Sequence, residues 1–186
     1  MLRQAGTELE VGTRVYLRRP TLRDEKAFIE LVEKSRRLHR PWVTPPADSS
    51  SYRRYVGRNR REDFEGLLVC RLEDGAIVGL YELGQISRGD FQSAYVGYYA
   101  NAAYQRQGYM TEGLELVIRY AFRTLKLHRL EANIQPGNKR SVALVERCGF
   151  SKEGFSPRYL KIGGRWRDHE RWAITVEAWR AARKRR

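Results

Sequence analysis

The chain has 186 residues, of which 36 are Lys or Arg and 22 are Asp or Glu, so its formal net charge is +14 at pH 7. This length suffices to bury a substantial core without disulfides or metals, and we expect a single domain over residues 1–186. No apolar run reaches the length of a membrane span, and the N-terminus lacks the apolar stretch of a signal peptide. A membrane or secreted protein is therefore disfavoured, and a cytoplasmic location is expected.

The charge balance and the cysteines restrict the kinds of partner. A basic surplus predicts affinity for anions such as phosphates or RNA, unless the charges only solvate the surface. Five of the last seven residues are basic, so residues 180–186 predict a frayed tail that could contact nucleic acid. Cys70 and Cys148 have no metal-ligand spacing. They are interpreted as buried apolar residues in a reducing compartment, and no metal site is expected.

The first half of the chain alternates strand and helix signals after a short N-terminal extension, residues 1–12. Phe28, Leu31 and Val32 recur at helical spacing, whereas Glu73-Asp74-Gly75 is typical of a hairpin turn. The predicted elements are a strand at 13–19, helices at about 22–38 and 51–63, and strands at 66–72, 76–81 and 92–100.

The second half contains the strongest helix signal, because Leu114, Val117, Ile118 and Phe122 line one face. The predicted elements are helices at 111–126 and 141–148 and strands at 129–135, 158–162 and 166–176. A strand–helix–strand unit in the middle of the chain implies one parallel pair inside an otherwise antiparallel sheet.

The segment Gln105-Arg106-Gln107-Gly108-Tyr109-Met110 opens the strongest helix. Unpaired amides at a helix start and the helix dipole both favour an anion, and a glycine allows its close approach. One glycine in such a loop is weak evidence by itself, because a plain strand-to-helix turn would also contain it.

Together with Asn138 to Ser141 and Cys148-Gly149-Phe150, this loop resembles the acetyl-CoA site of the GNAT family of N-acetyltransferases. Within the family, the chain looks most like the enzymes that acetylate the N-terminal alanine or serine of ribosomal proteins. The resemblance covers nearly the whole chain. It implies the α/β GNAT fold, with a central mixed, mostly antiparallel sheet of about seven strands, a splayed parallel pair and about four helices.

The resemblance also implies acetyl-CoA as cosubstrate and a set of residues that contact it. Gln105, Gly108 and Met110 occupy the fixed positions of the family loop Arg/Gln-x-x-Gly-x-Gly/Ala. Met110 departs from the usual small residue, but the contact required there is made by the backbone. The free carbonyl and amide groups of Tyr99 and Ala100, on the strand before the loop, are expected to pair with pantetheine, and a backbone N–H there to polarise the acetyl carbonyl. The implied cofactor-binding residues are Tyr99, Ala100, Gln105, Arg106, Gln107, Gly108, Tyr109, Met110, Thr111, Asn138 and Ser141.

Many GNAT enzymes place a tyrosine seven residues after this asparagine as the acid for the CoA thiolate, but Val145 stands there. Ser141 is then the natural substitute near the sulfur. An asparagine turn followed by a serine N-cap explains the same residues without catalysis.

The general base has no distinct signal in the sequence. Glu82, Glu112 and Glu131 are candidates, of which Glu131 is retained as a catalytic residue. Solvent alone is an alternative, since an α-amino group with a pKa of about 7.7–8.0 is already partly neutral near pH 7. His128 is explained by its place at a helix end. The segment Trp166 to His169 resembles that of the ribosomal-protein enzymes, which implies that His169 holds the last hairpin against the acceptor groove.

These residues favour an enzyme that transfers acetyl directly from acetyl-CoA to the N-terminal α-amino group of a ribosomal protein. A second hypothesis changes the acceptor to a polyamine, an aminoglycoside or an amino acid, for which an acidic groove would be expected. A third is a non-enzymatic RNA- or ribosome-binding module on the same fold. Contact with RNA through the basic surface fits the first hypothesis too, and the oligomeric state stays open.

Overall fold

One mixed sheet of eight strands runs through residues 8–184, the part of the chain that the computed structural model describes. The strands are β1 (Glu8–Val11), β2 (Val15–Arg18), β3 (Phe64–Arg71), β4 (Ile77–Ser87), β5 (Ser93–Ala100), β6 (Arg129–Ile134), β7 (Ser151–Ile162) and β8 (Arg165–Thr175). The helices are α1 (Glu25–Lys34), α2 (Arg36–His39), α3 (Ser49–Arg58), α4 (Tyr109–Arg123), α5 (Lys139–Arg147) and α6 (Val176–Lys184). In space the strands lie in the order β1-β2-β3-β4-β5-β6-β8-β7.

Both ends of the described chain contain more structure than the sequence predicts. The segment predicted as an extension contains β1, which pairs with β2, and Glu10 forms an ion pair with Arg119 of α4 at 2.5 Å. The segment predicted as a frayed tail is helical through Lys184. Residues 1–7 of that extension and residues 185–186 of that tail lie outside the described residues.

The helix predicted over 22–38 is divided. A 3-10 turn, Leu22–Asp24, precedes α1, and Ser35 separates α1 from α2. The Ser35 hydroxyl accepts a hydrogen bond from the amide of Ala102 at 2.9 Å, a contact far away in sequence. The described residues therefore contain six α-helices and eight strands, against about four and about seven expected.

The predicted parallel pair is confirmed, and it is short. β5 and β6 pair only over Ser93–Tyr95 and Arg129–Glu131, with α4 as the connection between them. Beyond these residues β5 remains bonded to β4 alone and β6 to β8 alone. A cleft therefore opens in the middle of the sheet.

Two apolar layers cover the sheet. On one face, α4 buries Leu114, Val117 and Ile118, as its periodicity predicts, together with Val145 of α5. On the other face, α1 and α3 pack aromatic rings, among them Phe28. Cys70 and Cys148 are both buried, as predicted, and the Cys148 thiol donates to the Thr111 carbonyl at 3.7 Å.

Candidate active site

The cleft between the splayed strands has a volume of about 1020 Å³. Its walls are the ends of β5 and β6, the starts of α4 and α5, and the α2 segment with the loop that follows it. Every residue that the sequence predicts to contact the cofactor lines this cleft except Gln107. The backbone carbonyl of Gln107 instead accepts a hydrogen bond from Arg14 Nη1 at 2.9 Å, which fixes the loop from outside.

The start of α4 presents free donors to the cleft. Gly108 is left-handed, with φ of 79°, and its carbonyl accepts the first helical bond from the Glu112 amide at 3.1 Å. The amides of Tyr109, Met110 and Thr111 therefore precede the helical hydrogen-bond ladder and have no acceptor within it. Free amides, the positive end of the helix dipole and a left-handed glycine together fit a pyrophosphate.

The backbone of β5 offers its groups to the cleft at alternate residues. The Asn101 amide donates to the Val78 carbonyl of β4 at 2.9 Å, so the amide and carbonyl of Tyr99 point toward β4 as well. Those of Tyr98 and Ala100 point toward the cleft. Tyr99 therefore lines the cleft with its side chain, which corrects the prediction that its backbone pairs with pantetheine.

The carbonyl of Ala100 is not free either, because His39 Nε2–H donates to it at 2.9 Å. Burial lowers the pKa of His39, which fits a neutral imidazole in this contact. His39 and Trp42 both line the cleft, and sequence reasoning missed both. A single histidine at the end of a four-residue helix has no motif that would identify it.

The start of α5 brings Ser141 to the opposite wall. Asn138 Oδ1 accepts a hydrogen bond from the Ser141 amide at 3.3 Å, so the asparagine caps the helix while it lines the cleft. The Tyr98 hydroxyl donates to the Ser141 carbonyl at 3.3 Å, and burial raises the pKa of Tyr98 to about 12. Val145, at the position of the family tyrosine, is fully buried in the core. The catalytic role of Ser141 stays a prediction.

None of the three candidate carboxylates is among the described residues that line the cleft. Glu112 Oε1 accepts hydrogen bonds from the amides of Thr13 and Arg14, each at 2.7 Å. Glu131 forms an ion pair with Arg129 at 3.1 Å, a placement that does not support its role as the base. Glu82 is half-buried, and the loss of water around it raises its pKa to about 7, against the opposing field of Arg58.

The other two histidines differ in their surroundings. His128 is half-exposed and pairs with Glu177 at 3.1 Å. It lies directly before β6, whereas α4 already ends at Arg123, so its predicted place at a helix end is wrong. His169 is buried, lines the cleft, and donates from Nδ1 to the Arg167 carbonyl at 2.9 Å. Burial lowers the pKa of His169 despite opposing contributions from that hydrogen bond and from Asp168.

The charge of the cleft has one sign. Among the described lining residues there are five Lys and Arg side chains and no carboxylate; the cations are Arg37, Arg106, Lys139, Arg140 and Arg147. Arg140 Nη1 also donates to Gln105 Oε1 at 3.1 Å, which connects the two loops at the cleft mouth. Within residues 8–184, no group of three or more His, Cys, Asp or Glu side chains could hold a metal ion. No helix in that range has the length and hydropathy to cross a membrane.

Known proteins resemble the chain over this region. The family model described as an acetyltransferase (GNAT) domain matches residues 14–151. "Probable N-acetyltransferase YjcK" of Bacillus subtilis is 39% identical over 120 residues, 64% of this chain and 66% of that protein. The "[Ribosomal protein uS5]-alanine N-acetyltransferase" of Escherichia coli is 41% identical over 111 residues, 60% of this chain and 57% of that protein. The match thus spans less than two thirds of either relative.

Solved structures match over a larger share of the chain. RimJ of Mycobacterium smegmatis, in complex with a CoA-disulfide, superposes with a TM-score of 0.81 at 28% identity, over 92% of this chain and 90% of that one. The cleft of the present chain also fits acetyl-CoA, because the free amides, left-handed glycine and five cations of the cleft suit the phosphates of CoA. The chain belongs to the GNAT family of acetyl-CoA-dependent acetyltransferases.

Proposed function

We propose that this chain transfers an acetyl group from acetyl-CoA directly to the N-terminal α-amino group of a protein, with a ribosomal protein as the leading acceptor. The observation that carries the proposal is a cleft lined by five cations and by no described carboxylate. Such a cleft attracts the polyanionic donor and suits an acceptor with a single ammonium group, because a polycation would be repelled. The 41% identity to a ribosomal-protein acetyltransferase supports the same acceptor class.

In this proposal the loop of residues 105–111 holds the pyrophosphate. The amides of Arg106, Gly108, Met110 and Thr111 donate to it, and the helix dipole of α4 adds to the attraction. The amides of Tyr98 and Ala100, which face the cleft, are available to pantetheine and to the acetyl carbonyl. Asn138 and Ser141 line the opposite wall, and in this proposal the Ser141 hydroxyl protonates the departing thiolate.

An α-amino group is also the easier nucleophile. With a pKa of about 7.7–8.0, roughly a tenth to a sixth of it is neutral at pH 7, whereas a lysine amine with a pKa of about 10.4 is neutral a few hundredfold less often. An acceptor on the ribosome would place the reaction in the cytoplasm. The net charge of +14 would then favour contact with nearby RNA.

A polyamine acceptor is the second candidate. The spermidine N(1)-acetyltransferase of Vibrio cholerae is 25% identical over 82% of this chain and 88% of that protein. Recognition of several ammonium groups needs carboxylates, and none is among the described residues that line this cleft.

The test is a thiol-release assay with acetyl-CoA. The acceptors are short peptides beginning with Ala, Ser or Met, with their internal lysines blocked, and spermidine. We expect a higher kcat/KM for the Ala and Ser peptides than for spermidine. The same peptides with an acetylated N-terminus are the matched control and should release no thiol. Turnover of spermidine without turnover of any peptide would contradict the protein acceptor. A protein that neither turns over nor binds acetyl-CoA in calorimetry would be a binding module.

A further inference from the structure

His169 lies on the sheet face that turns away from α4. Trp172 and Ile174, which lie an odd number of residues from it on β8, pack in the core beneath α4, so His169 points to the opposite face. β8 pairs with β6 up to Glu170, opposite Ile134, and His169 comes one residue beyond that pair. The ring therefore lies at the splayed end of the sheet, where it lines the cleft together with Asn133 and Gln135.

The hydrogen bonding of His169 fixes its tautomer. A carbonyl only accepts hydrogen bonds, so the contact of Nδ1 with the Arg167 carbonyl requires a proton on Nδ1. In the neutral ring, Nε2 then carries the lone pair. Nε2 makes no hydrogen bond to any residue in the range 8–184.

Neighbouring groups hold the ring in this position. Asp168 Oδ1 accepts a hydrogen bond from the Arg158 amide at 2.7 Å, which anchors an irregular section of β7 to β8. The Tyr159 ring from that section meets the His169 ring edge-on, with centroids 6.2 Å apart. Arg167 and Arg171, two residues to either side on β8, share the face of His169. The charge of Asp168 also acts on the ring, and β7 contributes Tyr159. β6 contributes the uncharged Asn133 and Gln135.

Two neutral imidazoles, His39 and His169, line the cleft. The lone-pair nitrogen of His39 is Nδ1, which is buried from solvent, so His169 is the better placed proton acceptor. Glu112 is held by backbone amides and Glu131 by Arg129, and neither they nor Glu82 are among the residues that line the cleft. We propose that His169 Nε2 accepts the proton that the acceptor nitrogen loses when it attacks acetyl-CoA. This inference rests on the proposed function, but it concerns the reacting nitrogen and holds for any amine acceptor.

The step balances without a further reactant. The amine lone pair forms the new N–C bond, the C–S bond breaks, and its electron pair leaves with the CoA sulfur. The nitrogen becomes strongly acidic as the N–C bond forms, so a weakly basic neutral imidazole is a sufficient acceptor. The proton then passes from Nε2 to solvent, and the ring returns to its starting tautomer.

The test variant is His169→Asn, whose side-chain amide can still donate to the Arg167 carbonyl but has no group at Nε2. We expect kcat to fall about 10²- to 10⁴-fold, with an unchanged KM for acetyl-CoA. In the wild type, the slope of log(kcat/KM) against pH should rise from one to two below the pKa of His169, because acceptor and imidazole must both be deprotonated. In the variant the slope should stay at one.

His128→Asn is the matched control, since His128 pairs with Glu177 on the surface, and it should keep the wild-type kcat and pH profile. A His169→Asn variant with a kcat within twofold of wild type would overturn the proposal. Absence of peptide turnover in the wild-type protein would instead count against the proposed acceptor, and the variants would be compared on spermidine. If no amine reacts, ¹⁵N NMR of the imidazoles tests the proposal through the protonation state and tautomer of the His169 ring. A protonated ring at pH 7, or a proton on Nε2 in the neutral ring, refutes the proposal, and the neutral Nδ1–H tautomer supports it.

Discussion

Gly108 shows how one residue controls the loop. A valine there would have to adopt φ near 79°, which costs about 1–2 kcal/mol, and its Cβ would lie 3.1 Å from Arg14 Nη2. We expect Gly108→Val to raise the KM and the Kd for acetyl-CoA about 5- to 30-fold, as measured by kinetics and calorimetry. Gly89→Val is the control, because Gly89 has φ of 63° with open space around it and lies outside the cleft lining. Equal acetyl-CoA affinity in the two variants would remove the loop from the donor site.

Glu82 makes stability depend on pH in an unusual direction. Its folded-state pKa of about 7 lies above that of the unfolded chain, so the folded state binds more protons between about pH 4.5 and 7. Stability from this group is complete below that range and falls as the pH rises through it. The free energy of unfolding of Glu82→Gln should therefore be about 1–3 kcal/mol higher than that of the wild type at pH 8. At pH 4 the two free energies should be nearly equal.

Urea unfolding at the two pH values measures this difference. The exposed Glu62, changed to Gln, is the control and should show no such pH dependence. A Glu82→Gln variant less stable than wild type at pH 8 would mean that the charged carboxylate is favoured in the fold.

At the scale of elements, Glu112 joins the first turn of α4 to the β1–β2 turn. Burial alone would raise its pKa, but the hydrogen bonds from the amides of Arg14, Val15 and Thr13 outweigh burial and lower it. The stabilisation is therefore present above the ordinary pKa of glutamate and is lost as the pH falls through the lowered value. Arg14, bonded to Glu112 at 3.1 Å, also holds the Gln107 carbonyl of the loop.

Glu112→Gln should consequently lower the free energy of unfolding by about 1–3 kcal/mol at pH 7 and raise the KM for acetyl-CoA, since the loop loses its support. Chemical denaturation and steady-state kinetics check the two effects. Glu30→Gln, a surface change on α1, is expected to alter neither. A destabilised Glu112 variant with an unchanged KM would separate the turn from the donor site.

The elements that could be predicted are those with local signals. α4 has a continuous apolar face, and the β3–β4 hairpin has its turn residues. β1 has only four residues, and its ion pair joins Glu10 to Arg119, so no local pattern identifies it. The same limit applies to the site. The loop follows from a motif, whereas His39 enters the cleft only because its contact with Ala100 spans 61 residues of sequence.

At the scale of the molecule, the sequence predicts a basic surface but not where the charge is concentrated. A net charge of +14 does not show that the described cleft lining excludes carboxylates. Two of the candidate carboxylates, Glu112 and Glu131, form ion pairs with Arg14 and Arg129 and do not line the cleft. The proposed acceptor preference therefore depends on where the folded chain places its charges, and composition does not give that placement.

The short parallel pairing has a consequence for how the molecule holds together. Within the single sheet, only three residue pairs connect the part formed by β1–β5 to the part formed by β6–β8. Acetyl-CoA that forms hydrogen bonds to both parts of the sheet would add a further connection between them. Binding of acetyl-CoA would then raise the free energy of unfolding, and the two parts of the sheet would separate more readily when acetyl-CoA is depleted.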